Sequence, residues 1–237
     1  MPLEKQQFRP GLTSADDGSE CADYEGQQRC LAGGLDYGQV KKLRAIIRSR
    51  DLFQQGEAVY RMESPFKSIF SIQSGSIKTE TCSHDGAKII TGFYFTGDLF
   101  GLDAVGDKTY SHDAIALEPT RVCELPFEQL QSACTDLPKL QCKLFQLLGK
   151  RVRVVNEKLE CGHTMVAEGR VLKFLQYLAQ NRELGRDGII KLPMTKEDIA
   201  SYLNMRPESL SRALAKLKQK GIICKHKNLI ELAEKGE

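Results

Sequence analysis

The sequence predicts an α+β fold in three successive parts: an antiparallel β-roll, a long helix, and a C-terminal winged helix-turn-helix. Three observations carry this. Short β-branched and aromatic runs broken by turn signals fill the stretch from Phe53 to Phe127. Apolar residues then recur at alternating spacings of three and four from Phe145 to Leu159. Finally, Met194–Gly221 reads as two short helices around a tight connection, with two apolar runs after it.

The 237 residues suffice for one large or two modest domains with real cores. Residues 1–34 hold Pro10-Gly11, Asp16-Asp17-Gly18 and Gly33-Gly34 and few apolar side chains, which predicts a loosely ordered segment. Over 36–49, Val40, Leu43, Ile46 and Ile47 have the spacing of a short amphipathic helix. The β-roll is placed at 35–134. Its turns are marked by Gln55-Gly56, Ser64-Pro65, Ser74-Gly75, Asp85-Gly86, Gly97-Asp98 and Gly106-Asp107, and its strands by Ser68–Ile72, Ser76–Thr81, Lys88–Phe95 and Ala114–Leu117.

The long helix is expected from Pro138 to Leu159, within a segment 135–162. Phe145, Leu148, Val152, Val155 and Leu159 form a coiled-coil seam of about two heptads. Leu144, Leu147 and Val154 lie off it, so one side can face the β-roll while the seam faces a second copy of the chain. The other reading is a single wide apolar face packed within a monomer. In the module 163–237, Val171, Phe174, Leu175 and Leu178 mark a helix after Ala167, Gly185 and Gly188 bracket a polar turn, and Ile189–Leu192 suits a short strand.

Several classes of function are disfavoured. No apolar run approaches the roughly 18–20 residues of a membrane span. Met1–Pro10 is polar and charged, without the apolar core of a secretory signal, so a cytoplasmic protein is expected. No Ser/His/Asp or paired-carboxylate constellation supports an enzyme, and His84, His112, His163 and His226 are scattered. The eight cysteines of a cytoplasmic chain argue against a disulfide framework. Most suit buried thiols or bystanders, but Cys21 and Cys30 flank a polar stretch with little core to fill. Net charge is +3, unevenly spread: residues 149–237 carry 18 Lys/Arg against 11 Asp/Glu, and residues 1–148 carry 16 against 20. A basic C-terminal part fits a polyanion, or is an accident of surface charge.

Within Met194–Gly221, Thr195 is a natural N-cap with Asp198 at the N3 position. Ile199 and Leu203 give the first helix one apolar face. Asn204-Met205-Arg206 is a tight connection, Pro207 suits the first position of a second helix, and Gly221 suits the position past its end. At about 100° per residue, Leu210, Leu214 and Leu217 turn inward while Glu208, Ser211 and Arg212 share the outward face. Arginine can grip guanine O6 and N7, glutamate can accept from cytosine N4, and serine can meet several base groups. Ser209, Arg206 and Thr195 join them as candidate DNA contacts, near the helix ends that approach the duplex. The alternative is a solvated face on an ordinary helical hairpin. Lys225-His226-Lys227-Asn228 lies between two apolar runs and reads as the basic tip of a wing.

In this order, the elements resemble the CRP/FNR family of regulators, and within it the oxygen-responsive FNR branch. Glu208-Ser209-Leu210-Ser211-Arg212 looks like the branch's E-x-x-S-R signature, and IQSGSIKTE (72–80), ITGFYFTGDLFGLDAVG (90–106) and RVCELPFEQL (121–130) resemble its β-roll. The resemblance implies a homodimer on a TTGAT-like DNA palindrome, contact with RNA polymerase through a loop like Ser83-His84-Asp85-Gly86 (residues that a plain polar hairpin turn explains equally well), and control of low-oxygen metabolism. Family members that take cyclic nucleotide carry a Gly-Glu pair and then an Arg-Ser or Arg-Thr. Here those slots read Gly101-Leu102 and Tyr110-Ser111-His112. A buried phosphate without its arginine is costly, so no cyclic nucleotide is expected. FNR-like proteins instead hold a [4Fe–4S] cluster on N-terminal cysteines and one β-roll cysteine. Cys123 matches the latter, and Cys21 and Cys30 match the outer two of three N-terminal ligands. Tyr24 stands where the middle cysteine is expected, and Asp23 beside it is a candidate oxygen ligand. A regulator that keeps the DNA binding but uses bare thiols or another effector is the second reading.

Overall fold

The computed structural model describes residues 29–83, 86–181, 189–226 and 229–232. Helix α1 (Tyr37–Ala45) starts at a capping box: the Asp36 carboxylate accepts from the Gln39 amide at 2.9 Å, and the Gln39 side chain accepts from the Asp36 amide at 3.1 Å. It is shorter than the apolar spacing suggests. The Arg48 amide already donates to the Glu124 carbonyl at 2.9 Å, which draws the chain into a sheet.

Eight strands follow: β1 (Ser49–Phe53), β2 (Ala58–Tyr60), β3 (Ser68–Ser74), β4 (Ser76–Cys82), β5 (Lys88–Phe95), β6 (Leu99–Phe100), β7 (Asp113–Ala116) and β8 (Thr120–Pro126), with the short α2 (Ala104–Asp107) between β6 and β7. They pair antiparallel into two four-stranded sheets, ordered β1-β8-β3-β6 and β2-β7-β4-β5. Both sheets contribute to one buried cluster, including Ile72, Ile77, Phe100, Ala114 and Val122. Gly75, in the β3–β4 turn, has φ +90°, and a Cβ there would come within 2.7 Å of the Pro119 carbonyl oxygen, so only glycine fits.

Helix α3 (Phe127–Asp136), which the sequence pattern does not separate from its surroundings, leads into α4 (Pro138–Thr164). Leu137, held extended before Pro138, breaks the two apart. A second cluster joins roll to helices: Ile69, Leu99 and Leu125 meet Leu130, Leu137 and Leu140, with Leu144 and Leu147 packed against them. Cys30, Leu31 and Ala32 are buried in this cluster too, so the end of the polar N-terminal stretch is core rather than loose chain.

Beyond α4 lie α5 (Ala167–Asn181), β9 (Ile189–Lys191), α6 (Lys196–Tyr202), α7 (Pro207–Gln219), β10 (Ile223–His226) and β11 (Leu229–Leu232), the strands forming an antiparallel sheet ordered β10-β11-β9. Its core draws on Phe174, Leu178, Ile190, Ile199, Leu210, Leu214, Leu217 and Ile230 and runs on into Ile90, Phe93 and Phe95 of β5. The fold class expected from the sequence, antiparallel β-roll, long helix and C-terminal winged helix-turn-helix, is the one observed. The turn expected around Gly185 and Gly188 lies outside the described residues.

Candidate nucleic-acid interface

Helices α6 and α7 are each fixed by local chemistry. The Thr195 hydroxyl accepts from the Asp198 amide at 3.1 Å, and the Asp198 carboxylate accepts from the Thr195 amide at 3.2 Å. This closes the capping box at the start of α6. The turn to α7 passes through Asn204 at φ +50°. The Arg170 guanidinium holds it, donating to the Leu203 carbonyl at 3.0 Å. Arg206 is the extended N-cap of α7, and Pro207 sits in its first turn, where a missing N–H costs nothing.

The faces of α7 divide as its periodicity predicts. Leu210, Ala213, Leu214 and Leu217 are buried, whereas Glu208, Ser211 and Arg212 are exposed together. Arg206 and Thr195 are exposed and Ser209 is half-buried. Arg212 donates to the Ser209 hydroxyl at 3.2 Å, which lays the guanidinium along the helix, and among the described residues it makes no ion pair. At the far end of α7, Lys216 and Lys220 clasp Glu168 of α5 at 3.0 and 2.6 Å. The hydrogen bonds from Lys220 and Lys216 hold that carboxyl below its usual range. Strands β10 and β11 form the expected hairpin; residues 227–228 of its tip lie outside the described residues.

Along α4 the seam is uncovered. Phe145 is 63% exposed, Val152 58%, Val155 43% and Leu159 57%, with Leu148 half-buried. About a hundred degrees round the helix, a second stripe faces the chain's own domains. Arg151 on that stripe donates to the Tyr94 hydroxyl at 2.9 Å and lies 4.1 Å over its ring; Gly92 leaves the room, since a Cβ there would collide with the guanidinium. Lys158 lies 3.9 Å over the Tyr202 ring.

The roll also grips α6. Lys78 of β4 pairs with Asp198 at 2.7 Å, the Ile90 amide donates to the Ser201 hydroxyl at 3.0 Å, and Phe93 packs on Tyr202 with centroids 4.9 Å apart. Lys78 also pairs with the buried Glu80 at 3.0 Å. Burial works against its charge, but the hydrogen bonds it donates to Asp198 and Glu80 win and raise its pKa. Arg29, next to Cys30, donates to the Asn181 carbonyl at 2.7 Å and to that of Gln180, at the C-terminal end of α5. None of these links was singled out from the sequence. Cations on the otherwise apolar inner stripe of α4 are the one signal that could have exposed Arg151 and Lys158.

The candidate sensor residues divide. Cys123 on β8 and Cys30 are buried, and the Ala32 amide donates to the Cys30 sulfur at 3.2 Å. Cys21, Asp23 and Tyr24 lie outside the described residues, as do His84 and Asp85 of the 83–86 loop. Among the described residues no group of three His, Cys, Asp or Glu side chains is placed to hold a metal. In the roll interior, Tyr110 stacks on Tyr60 at 3.9 Å and donates to the Ser68 carbonyl at 2.7 Å. Gly101 at φ +82° lies against both rings and Phe70. Gly101 and Tyr110 are thus built into an aromatic stack, while His112 faces the Asp103 carboxylate at 3.0 Å.

Residues 169–235 match the Crp-like helix-turn-helix domain model, and residues 50–136 match the cyclic nucleotide-binding domain model. The chain is 32% identical to electron transport regulator A of Shewanella oneidensis over 227 residues, 94% of this chain and 90% of that protein. The chain belongs to the CRP/FNR family. Other CRP/FNR relatives include the transcriptional activator protein anr of Pseudomonas aeruginosa, 31% identical over 86% of this chain and 85% of that one. The fumarate and nitrate reduction regulatory protein of Escherichia coli K12 is 30% identical over 86% and 82%. The solved structure of FixK2 from Bradyrhizobium japonicum shares the fold, with TM-score 0.71 at 24% identity over 78% of this chain and 92% of that one. The protein is therefore a DNA-binding transcription regulator, and these relatives are named as regulators rather than enzymes. No helix among the described residues is long and apolar enough to cross a membrane.

Proposed function

We propose that the protein is a cytoplasmic, homodimeric FNR-type regulator that reads a TTGAT-like palindrome with Glu208, Ser211 and Arg212, controls low-oxygen metabolism, and touches RNA polymerase at the promoter. The observation that carries the DNA reading is the shared exposed face of these three side chains on a helix anchored by buried leucines. Dimerisation through Phe145, Leu148, Val152, Val155 and Leu159 follows from the uncovered seam, and sets two recognition helices on two half-sites. Cyclic nucleotide is not the signal: the aromatic stack occupies the roll and the phosphate-binding arginine is missing.

The signal in this reading is oxygen or redox state, sensed through a [4Fe–4S] cluster held by Cys21, Cys30, Cys123 and Asp23. Two buried thiols, one already accepting a backbone N–H, suit soft iron ligation. The cluster supplies an oxygen-labile tie between the N-terminal segment and the roll. Arg29 carries the consequence to the DNA-binding module: with Cys30 held, it stays on the α5 carbonyls, where a cation contributes roughly 0.3–1 kcal/mol. The test is iron and sulfide content after anaerobic reconstitution, with palindrome binding before and after air. Near four irons per subunit and air-sensitive binding are expected, whereas fewer than about one iron removes the cluster from the account. Cys123→Ser should abolish the cluster and Asp23→Ala weaken it. Tyr24→Cys, which adds a fourth thiolate, should slow its loss in air.

A further inference from the structure

A cavity of about 330 Å³ lies where the last turns of α4 meet α5 and the turn before α7. Its walls are mainly apolar and aromatic, with Phe174 and Tyr202 prominent, and its cations are Lys158, Arg170 and the exposed Lys173. Lys158 and Arg170, set deeper than Lys173, are short of acceptors. The Arg170 Nε is buried with no hydrogen-bond partner, a costly state for a charged donor. Among the described residues no carboxylate pairs with Lys158, which rests on the Tyr202 ring. Burial, and then the nearby Arg151 charge, lowers its pKa to about 8. The site is therefore apolar with two under-satisfied, partly buried cationic donors, while the exposed Lys173 and Glu157, also in its lining, offset one another.

The cavity also has a position from which it can act. Lys158 and Val154 lie on the inner stripe of α4, while Leu159 on the rim belongs to the exposed seam. Leu203 and Asn204, on the opposite wall, form the turn that aims α7, and Arg170 holds that turn through its carbonyls.

We propose that this cavity is an effector site for a small monoanionic amphiphile, an aryl or short acyl carboxylate, whose carboxylate meets Lys158 and Arg170 and whose apolar body lies on Phe174 and Tyr202. Occupancy ties the end of the dimer helix to the turn before the recognition helix and so biases the orientation in which α7 is presented. Neither the cluster nor oxygen enters this inference, and the iron-free full-length protein is the sample that tests it.

The probes are 4-phenylbutyrate and its neutral counterpart 4-phenylbutan-1-ol, titrated calorimetrically. One carboxylate per subunit should bind, about tenfold more tightly than the alcohol. Lys158→Met, which keeps the stem and removes the charge, should cost the carboxylate about tenfold and leave the alcohol unchanged; Lys139→Met, far along α4, should change neither. Nuclear Overhauser contacts should place the phenyl ring on Tyr202. Equal affinity for acid and alcohol, no binding of either at millimolar concentration, an unchanged acid affinity in Lys158→Met, or contacts elsewhere on the protein would each overturn the proposal.

Discussion

Val155→Asp tests the uncovered seam. Full burial of a Val, Leu or Phe side chain contributes about 1.5–3 kcal/mol. Phe145, Val152, Val155 and Leu159 still have roughly half their surface to bury, so each contributes about 1 kcal/mol and the two subunits together about 8 kcal/mol. Association costs about 4–15 kcal/mol in lost freedom, so a two-heptad seam sits near balance and is easily tipped. An aspartate at 155 forfeits the valine's share and places one carboxylate against its symmetry mate. An uncompensated, partly buried charge costs about 3–5 kcal/mol, which raises the dissociation constant by about a thousandfold. Sedimentation velocity from about 1 to 50 μM should show monomer for the variant, with palindrome binding lost and weak binding to random DNA kept. A variant that stays dimeric at low micromolar concentration would refute this seam as the main interface.

Asp198→Ala removes a capping acceptor and one of the two carboxylates paired with Lys78, and should cost about 1–3 kcal/mol in urea unfolding. A loss under about 0.5 kcal/mol would show that Asp198 neither caps α6 nor ties it to the roll to any effect. Arg29→Ala should leave the iron content of reconstituted protein unchanged yet weaken its DNA binding; unchanged affinity would remove Arg29 from the coupling. Lys158 titrates near 8 in the folded protein and near 10.5 when unfolded, so the unfolded chain binds more protons between those values. The stability penalty is full below about pH 8 and fades as pH rises to 10.5. The stability of the unsubstituted protein relative to Lys158→Met should therefore climb through that window. A flat difference would count against the assignment.

What the sequence revealed were features written in local period. Lys88–Phe95 is a strand with the bounds its composition suggests, and the capping box at Thr195 and the buried face of α7 were legible residue by residue. Short strands such as Ala58–Tyr60 and Leu99–Phe100 were not, because two or three residues carry no period and owe their pairing to Ile115 and Phe70 elsewhere in the chain. The grip of the roll on α6 escaped for the same reason: Lys78 and Asp198 stand 120 positions apart, and each alone looks like a surface charge. Cys30 shows the limit of composition. The stretch before it is polar and Gly33-Gly34 follow soon after, yet with Leu31 and Ala32 it is buried in one cluster with Val40 and Leu43.

The central claim is that α7 reads bases, and Arg212→Ala tests it most directly by titration against a TTGAT palindrome and a scrambled duplex at one salt concentration. If Arg212 grips a base edge, the palindrome loses about 1–3 kcal/mol, roughly 5- to 150-fold, and the scrambled duplex far less. Equal losses on the two duplexes would mean that Arg212 meets only phosphate, and would contradict the account.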